Sequence, residues 1–227
     1  MKHAWTVDAA RNNARWCNAV CFAHGNSGRF LEHMWVSAQP VPRFYPNAVT
    51  LSGGEAEIAE QRQTVRILQK SHLPGRWSVK DSFGTLDIAR LGFEVLFEAN
   101  WIRLEHPAEH RRKQGSGITW ERASHGQDAI HPGLFSDENF ALFCGRRAGA
   151  MVAGGTLYRA ENVVGISNVV AEADDAVSVW HDLATLAGET FPGLALVGYE
   201  PDDELKAAHK AGFAIGDRLR IWVKARD

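Results

Sequence analysis

Apolar residues fall at helical spacing over residues 8–24, where Ala9, Trp16, Val20 and Ala23 share a stripe between Asp8 and Gly25. That pattern predicts an amphipathic helix with Asp8 as its N-cap and Gly25 as its stop. Residues 25–46 are rich in Gly, Pro and Ser, which predicts irregular structure around a short strand at 34–37. A strand over 45–52 follows. Gly53 and Gly54 then precede a helix over 55–70, whose Ile58, Val65 and Leu68 lie on one face. A strand over 77–82, a short helix, Gly92-Phe93 and a closing strand complete this half.

The second half reads as a meander. A strand over 118–123 precedes a hairpin of 140–146 and 150–159 turning near Arg147, Ala148 and Gly149, and a third strand covers 163–171. Asp174 and Asp175 are placed to cap a helix that carries Val179, Leu183, Leu186 and Ala187 toward a core. The run 194–200 has the apolar character of a buried strand. Asp202 or Asp203 then caps a helix ending at Gly212, and 218–224 closes the chain as a strand. Meander, helix, strand, helix, strand is an α+β layout with a mixed sheet.

The two halves share an order and a register. Asn47 and Asn168, Pro74 and Pro192, and Gly92 and Gly212 recur at an offset of about 120 residues, which predicts an internal duplication. Residues 105–117 combine Pro, Gly and charge with no apolar side chain larger than Ala, so they predict a solvated bridge. The expected division is a unit over 1–106, a linker over 107–117 and a unit over 118–227.

Composition narrows the partners. The formal charge of -2 and the lack of a long basic stripe predict no nucleic-acid partner, and the one basic run, His110 to Lys113, falls in the linker. No apolar run is long enough to span a bilayer, and the first residues lack a signal-peptide core, so the expectation is a cytoplasmic protein without a membrane partner. Three Cys residues fit a reducing compartment.

The order of elements, with Gly212-Phe213 ending the helix before the last strand, resembles the GNAT superfamily of acyl-CoA-dependent N-acyltransferases. The resemblance covers about residues 118–227. Residues 45–104 look like the later half of a second, eroded copy, with Gly92-Phe93 at the equivalent place. It implies a duplicated GNAT-like mixed sheet flanked by helices, in which the fourth strand (163–171) and the fifth (194–200) splay apart to admit acetyl-CoA or another acyl-CoA. Asn168, Val169 and Val170 on the fourth strand are then the cofactor-binding candidates, with backbone N–H groups around Val169 and Val170 holding the oxyanion.

Two family features are missing. Where the family carries a basic, Gly-rich phosphate loop, this chain has Ala171-Glu172-Ala173-Asp174-Asp175-Ala176, with three carboxylates and no Gly. Where many members carry a Tyr four residues before the Gly-Phe pair, it has Ala208 and Ile88. His209 is adjacent, but neighbouring helix positions point about 100° apart. Tyr199 and Glu200 at the end of the fifth strand are the catalytic candidates, Glu200 accepting the amine proton and Tyr199 donating to the thiolate. The ordinary alternative has Tyr199 packed in a core and Glu200 as a solvated turn residue. Asn168 likewise has two readings, a ligand contact or a bulge satisfied locally.

Cys17, Cys21 and His24 fall one helical turn apart, but no partner motif supplies a fourth ligand, so burial of both thiols is expected and no metal site. The leading expectation is an N-acetyltransferase acting on a small-molecule or peptide amine. The alternative is an inactive GNAT-fold module that binds a ligand or a protein.

Overall fold

The structure is a computed structural model that describes residues 3–71, 77–109, 117–124 and 130–225. Leu73-Pro74-Gly75, the basic run 110–113 and Gly115-Ser116 lie outside the described residues. In chain order the elements are α1 (Thr6–Ala23), β1 (Arg29–Phe30), β2 (Met34–Val36), β3 (Ala48–Thr50), α2 (Glu55–Lys70), β4 (Ser78–Asp81) and β5 (Phe93–Leu104). They continue as β6 (Thr119–Arg122), β7 (Phe140–Arg147), β8 (Ala150–Ala160), β9 (Val163–Ala171), α3 (Ala176–Thr190), β10 (Ala195–Glu200), α4 (Asp202–Lys210) and β11 (Ala214–Lys224). Among the described residues no helix is long and apolar enough to cross a membrane.

The chain divides into two compact units: Met1–Asn100 with Asp217–Asp227, and Trp101–Gly216. This differs from a division at a linker. Both β5 and β11 begin in one unit and end in the other, so the chain changes unit inside strands, where the backbone is committed to sheet pairing.

In the first unit the strand order is β1-β2-β3-β4-β11, with the first part of β5 beside β11. β2 and β3 are antiparallel, whereas β3 and β4 are parallel and joined through α2. The stripe expected on α2 is used: Val65 and Leu68 are buried against Met34, Trp77, Val79, Phe93 and Trp222. Burying each of those two side chains contributes about 1.5–3 kcal/mol. On α1, Ala14, Cys17 and Cys21 pack against Trp35, Val49 and Leu51. The helix begins two residues before the expected Asp8, and its N-cap position, Trp5, makes no side-chain cap.

β3 is shorter than the strand expected over 45–52. Phe44 sits at φ 73°, and the Asn47 amide donates to the carbonyls of Ser37 and Gln39, so this stretch makes a side-chain-tied turn before pairing starts.

In the second unit the last part of β5 is followed by β10-β9-β8-β7-β6. β6 to β9 form the antiparallel meander, and β9 and β10 are parallel with α3 as their crossover. Leu157, Val164, Val179, Leu183, Leu196 and Phe213 are among the side chains that close this core. The first hairpin turns where expected, with Ala148 and Gly149 at positive φ, and Glu161 and Asn162 likewise adopt positive φ between β8 and β9, the conformation a tight two-residue turn requires. The aspartates expected as caps act otherwise. Asp175 caps no N–H of α3, and Pro201 rather than Asp202 or Asp203 stands before α4.

The start of the expected solvated bridge is instead packed. Pro107–Glu109 forms a 3-10 turn with Pro107 buried, lying against α3 at Gly188. A Cβ at Gly188 would stand 2.5 Å from the backbone nitrogen of Ala108, closer than any real contact. Gly188→Ala is therefore expected to lower unfolding free energy by roughly 1–3 kcal/mol, read from the urea midpoint at unchanged m-value.

Candidate functional site

Strands β9 and β10 pair at only three positions, Val163 with Ala195, Val164 with Leu196 and Gly165 with Val197. Beyond these the two strands part. On its other edge β9 carries a bulge, since Val170 faces Gly154 while Ser167 faces Thr156, so three steps along β9 match two along β8. Asn168 takes up the extra residue at φ 52°, a left-handed conformation that Asn tolerates better than most residues. Its side chain donates to the buried Thr156 Oγ1 at 3.3 Å, which satisfies the bulge locally.

A cleft of about 610 Å³ opens where the strands part. Val169, Val170 and Ala171 of β9 and Glu200 of β10 line it, placing Glu200 in the same cavity as the two valines. Its walls follow helical spacing. Ala173, Ala176, Val177 and Trp180 form an apolar side leading into and along α3, and Asp203, Lys206, Ala207 and Lys210 form a charged side along α4.

Burial pushes the Glu200 carboxyl up to about 8, reinforced by its hydrogen bond to Glu204 and the charge of that carboxylate. Glu200 therefore keeps its proton at neutral pH in most molecules and loses it just above. That places the group in the range useful for moving a proton.

Tyr199 points elsewhere. Successive strand residues face opposite sides, and its ring packs edge-on against Trp101 with centroids 5.6 Å apart. Among the described residues the lining of the cleft contains no hydroxyl or thiol side chain.

The acidic segment before α3 is partly neutralised. Arg147, at the end of β7, lies 2.7 Å from Asp175 and 3.4 Å from Glu172. An ion pair this exposed is worth under about 1 kcal/mol to stability, and it commits Arg147 to the carboxylates of that helix start. Ala208 and Ile88, at the places of the family's Tyr, are both buried in the cores. His209 Nδ1 lies 3.2 Å from the Phe213 carbonyl, beside the turn that ends α4.

In the first unit the ends of the parallel pair β3 and β4 are tied together. Ser82 N–H donates to Thr50 Oγ1 at 2.8 Å, joining the ends of β4 and β3. Lys80, on β4, is buried and donates to Asn13 at 2.8 Å. At the start of α2 the Glu57 carboxylate folds over Gly54, so the Gly53-Gly54 turn faces its own acidic side chain. Cys17 and Cys21 are pushed up to about 11 and about 12, each chiefly by burial, which keeps them as neutral thiols in the core.

No family profile matches the sequence, and no curated protein matches it. Solved structures do. A GCN5-related N-acetyltransferase from Kribbella flavida superposes with TM-score 0.66 at 12% identity over 96% of each chain. The chain has the GNAT fold. A functionally unknown conserved protein from Staphylococcus epidermidis matches with TM-score 0.61 at 9% identity, over 89% of this chain and 95% of that one. A tandem GNAT protein from the clavulanic acid biosynthesis pathway matches with TM-score 0.53 at 10% identity, over 84% of this chain and 77% of that one. Within this GNAT fold, the parting strands and the bulge lie in the second unit.

The sequence singled out Glu200, Val169 and Val170 by position, and the cleft brings these three together. Lys206 and Lys210 were missed, although their spacing of four along a helix after a strand end was a legible signal.

The sign of the pH effect follows from the direction of the Glu200 shift. An acid whose folded-state pKa is raised adds stability that is full below the unfolded value near 4.3 and is lost as pH rises through about 8. The urea midpoint of the wild type is expected to fall between pH 5 and pH 8.5, and Glu200→Gln is expected to flatten that fall. An unchanged slope in the variant would show that Glu200 titrates normally.

Proposed function

We propose that the second unit is an N-acetyltransferase that moves an acyl group from acyl-CoA to the amine of a small molecule or peptide. The observation that carries this reading is the meeting of a cleft, a bulge and a carboxyl poised near neutrality where two parallel strands part. The GNAT fold supports it by likeness of structure.

In this reading the thioester lies along β9, with its carbonyl toward the backbone at Val169 and Val170. The bulge at Asn168 interrupts the regular ladder there, and bulges are a usual means of re-aiming backbone groups beside a site. Ionised Glu200 accepts a proton from the incoming amine, the nitrogen attacks the carbonyl carbon, and N–H groups of β9 hold the oxyanion. The C–S bond then breaks, and the departing thiolate takes its proton from solvent. Tyr199 packs edge-on against the buried Trp101 and takes no part in this step.

The duplication is part of the same proposal. Each unit has a parallel strand–helix–strand crossover, followed by a Gly at positive φ, Gly92 at 78° or Gly212 at 100°, and then a Phe that enters the core. The first unit serves as scaffold, with its strand ends joined.

A second reading, a binding module without catalysis, is favoured by one observation. Ala208 and Ile88 put buried apolar side chains where a proton donor is usual in the family.

Acetyl-CoA at about a hundred times its dissociation constant is expected to stabilise the protein by about 2.7 kcal/mol, visible as a raised melting temperature. No shift at millimolar acetyl-CoA would remove the acyl-CoA reading. With an accepted amine, log kcat is expected to rise with pH and level off above about 8, the value to which Glu200 is pushed. Glu200→Gln is expected to lower kcat by roughly 10²–10⁴ while leaving KM for acetyl-CoA nearly unchanged. Acetyl-CoA binding with no turnover on any amine would favour the binding module.

A further inference from the structure

The acidic start of α3 offers no seat for phosphate, yet the opposite wall of the cleft holds two cations. Lys206 and Lys210 are one turn apart on α4 and both line the cavity. Neither has a hydrogen-bond or ion-pair partner among the described residues, and both are solvent-exposed. By contrast, the nearby Arg147 is already committed to Glu172 and Asp175. Lys206 and Lys210 line the same cavity as the apolar Ala173, Ala176 and Val177.

The other charges of the same cavity are Glu200, Asp203 and Glu204. These crowd the end of β10 and the first turn of α4, whereas Lys206 and Lys210 occupy its later turns. The cleft is therefore graded, acidic beside the parting strands and basic farther along α4. Its occupant must suit that gradient. A ligand with a neutral or amine-bearing end at the strands and a polyanionic end along α4 fits; a uniformly anionic one does not.

We infer that Lys206 and Lys210 seat the phosphate groups of the acyl-CoA, replacing the N–H-lined helix start that this chain has filled with carboxylates. This rests on the acyl-transfer reading. Lys suits the task as a mobile point charge that reaches phosphate oxygens without a fixed backbone cradle. Binding through side chains rather than backbone amides also makes the affinity strongly dependent on salt.

The test is titration calorimetry of the wild type, Lys206→Ala, Lys210→Ala, the double Ala variant and the double Arg variant. The probes are acetyl-CoA, S-acetylpantetheine, which has the same acyl arm without phosphates, and inorganic pyrophosphate. The expected result is a weakening of acetyl-CoA binding by about 3–10-fold in each single variant and by more than about 10-fold in the double Ala variant. The double Arg variant should restore it, and S-acetylpantetheine should bind all forms alike. Acetyl-CoA binding in the double Ala variant within twofold of wild type would overturn the lysine assignment and leave the acyl-transfer reading standing. Lysine-dependent binding of pyrophosphate without binding of acetyl-CoA would overturn the acyl-CoA reading and keep the anion seat. Binding of neither by the wild type would overturn both.

Discussion

The second unit depends on where a pairing stops. β9 and β10 share three parallel register positions and then separate, although both strands continue. Backbone groups that lose a neighbour must find another partner or face a cavity. Here the bulge at Asn168 absorbs part of the mismatch, and its side chain ties the irregular turn to Thr156. The remaining space is the cleft, with acidic residues at the end of β10 and the first turn of α4 and lysines farther along α4.

The first unit also has a parallel strand–helix–strand crossover, and there the strand ends are joined. The Ser82 to Thr50 bond draws the two strand ends together. The Asp81 carboxyl is buried next to that bond, and burial raises its pKa while N–H groups of Leu86 and Phe83 and the charge of Arg220 oppose the rise. A buried carboxyl with backbone partners organises a tight turn. Glu200, in contrast, ends its strand in the lining of a cleft, and burial together with the neighbouring Glu204 pushes its carboxyl up to about 8. Similar plans thus give a closed polar core in one unit and a titrating cleft in the other.

Most elements were legible because their signals are local. The apolar stripe of α2, the turn residues Ala148 and Gly149, and the run 163–171 report backbone preferences of short stretches, and those elements stand within a residue or two of expectation. The caps were misread for a definite reason. Asp175 has the right chemistry for an N-cap, but Arg147, 28 positions away, competes for the same carboxylate with a charge-assisted bond. Likewise Pro107 belongs to a polar stretch by composition, yet Gly188 leaves a gap on α3 that admits its backbone.

The sequence alone determined the α+β order, the crossover in each half, and the position of Glu200 at a strand end. These depend on periodicity and punctuation within windows of about ten to twenty residues. Tertiary structure decided that a cleft opens where β9 and β10 part, that Tyr199 turns away to Trp101, and that Lys206 and Lys210 line that cleft without partners among the described residues. It also decided that β5 and β11 each serve both units. Those outcomes depend on which distant strand ends meet and which charges compete for one another, and such long-range pairings leave no periodic trace in the chain.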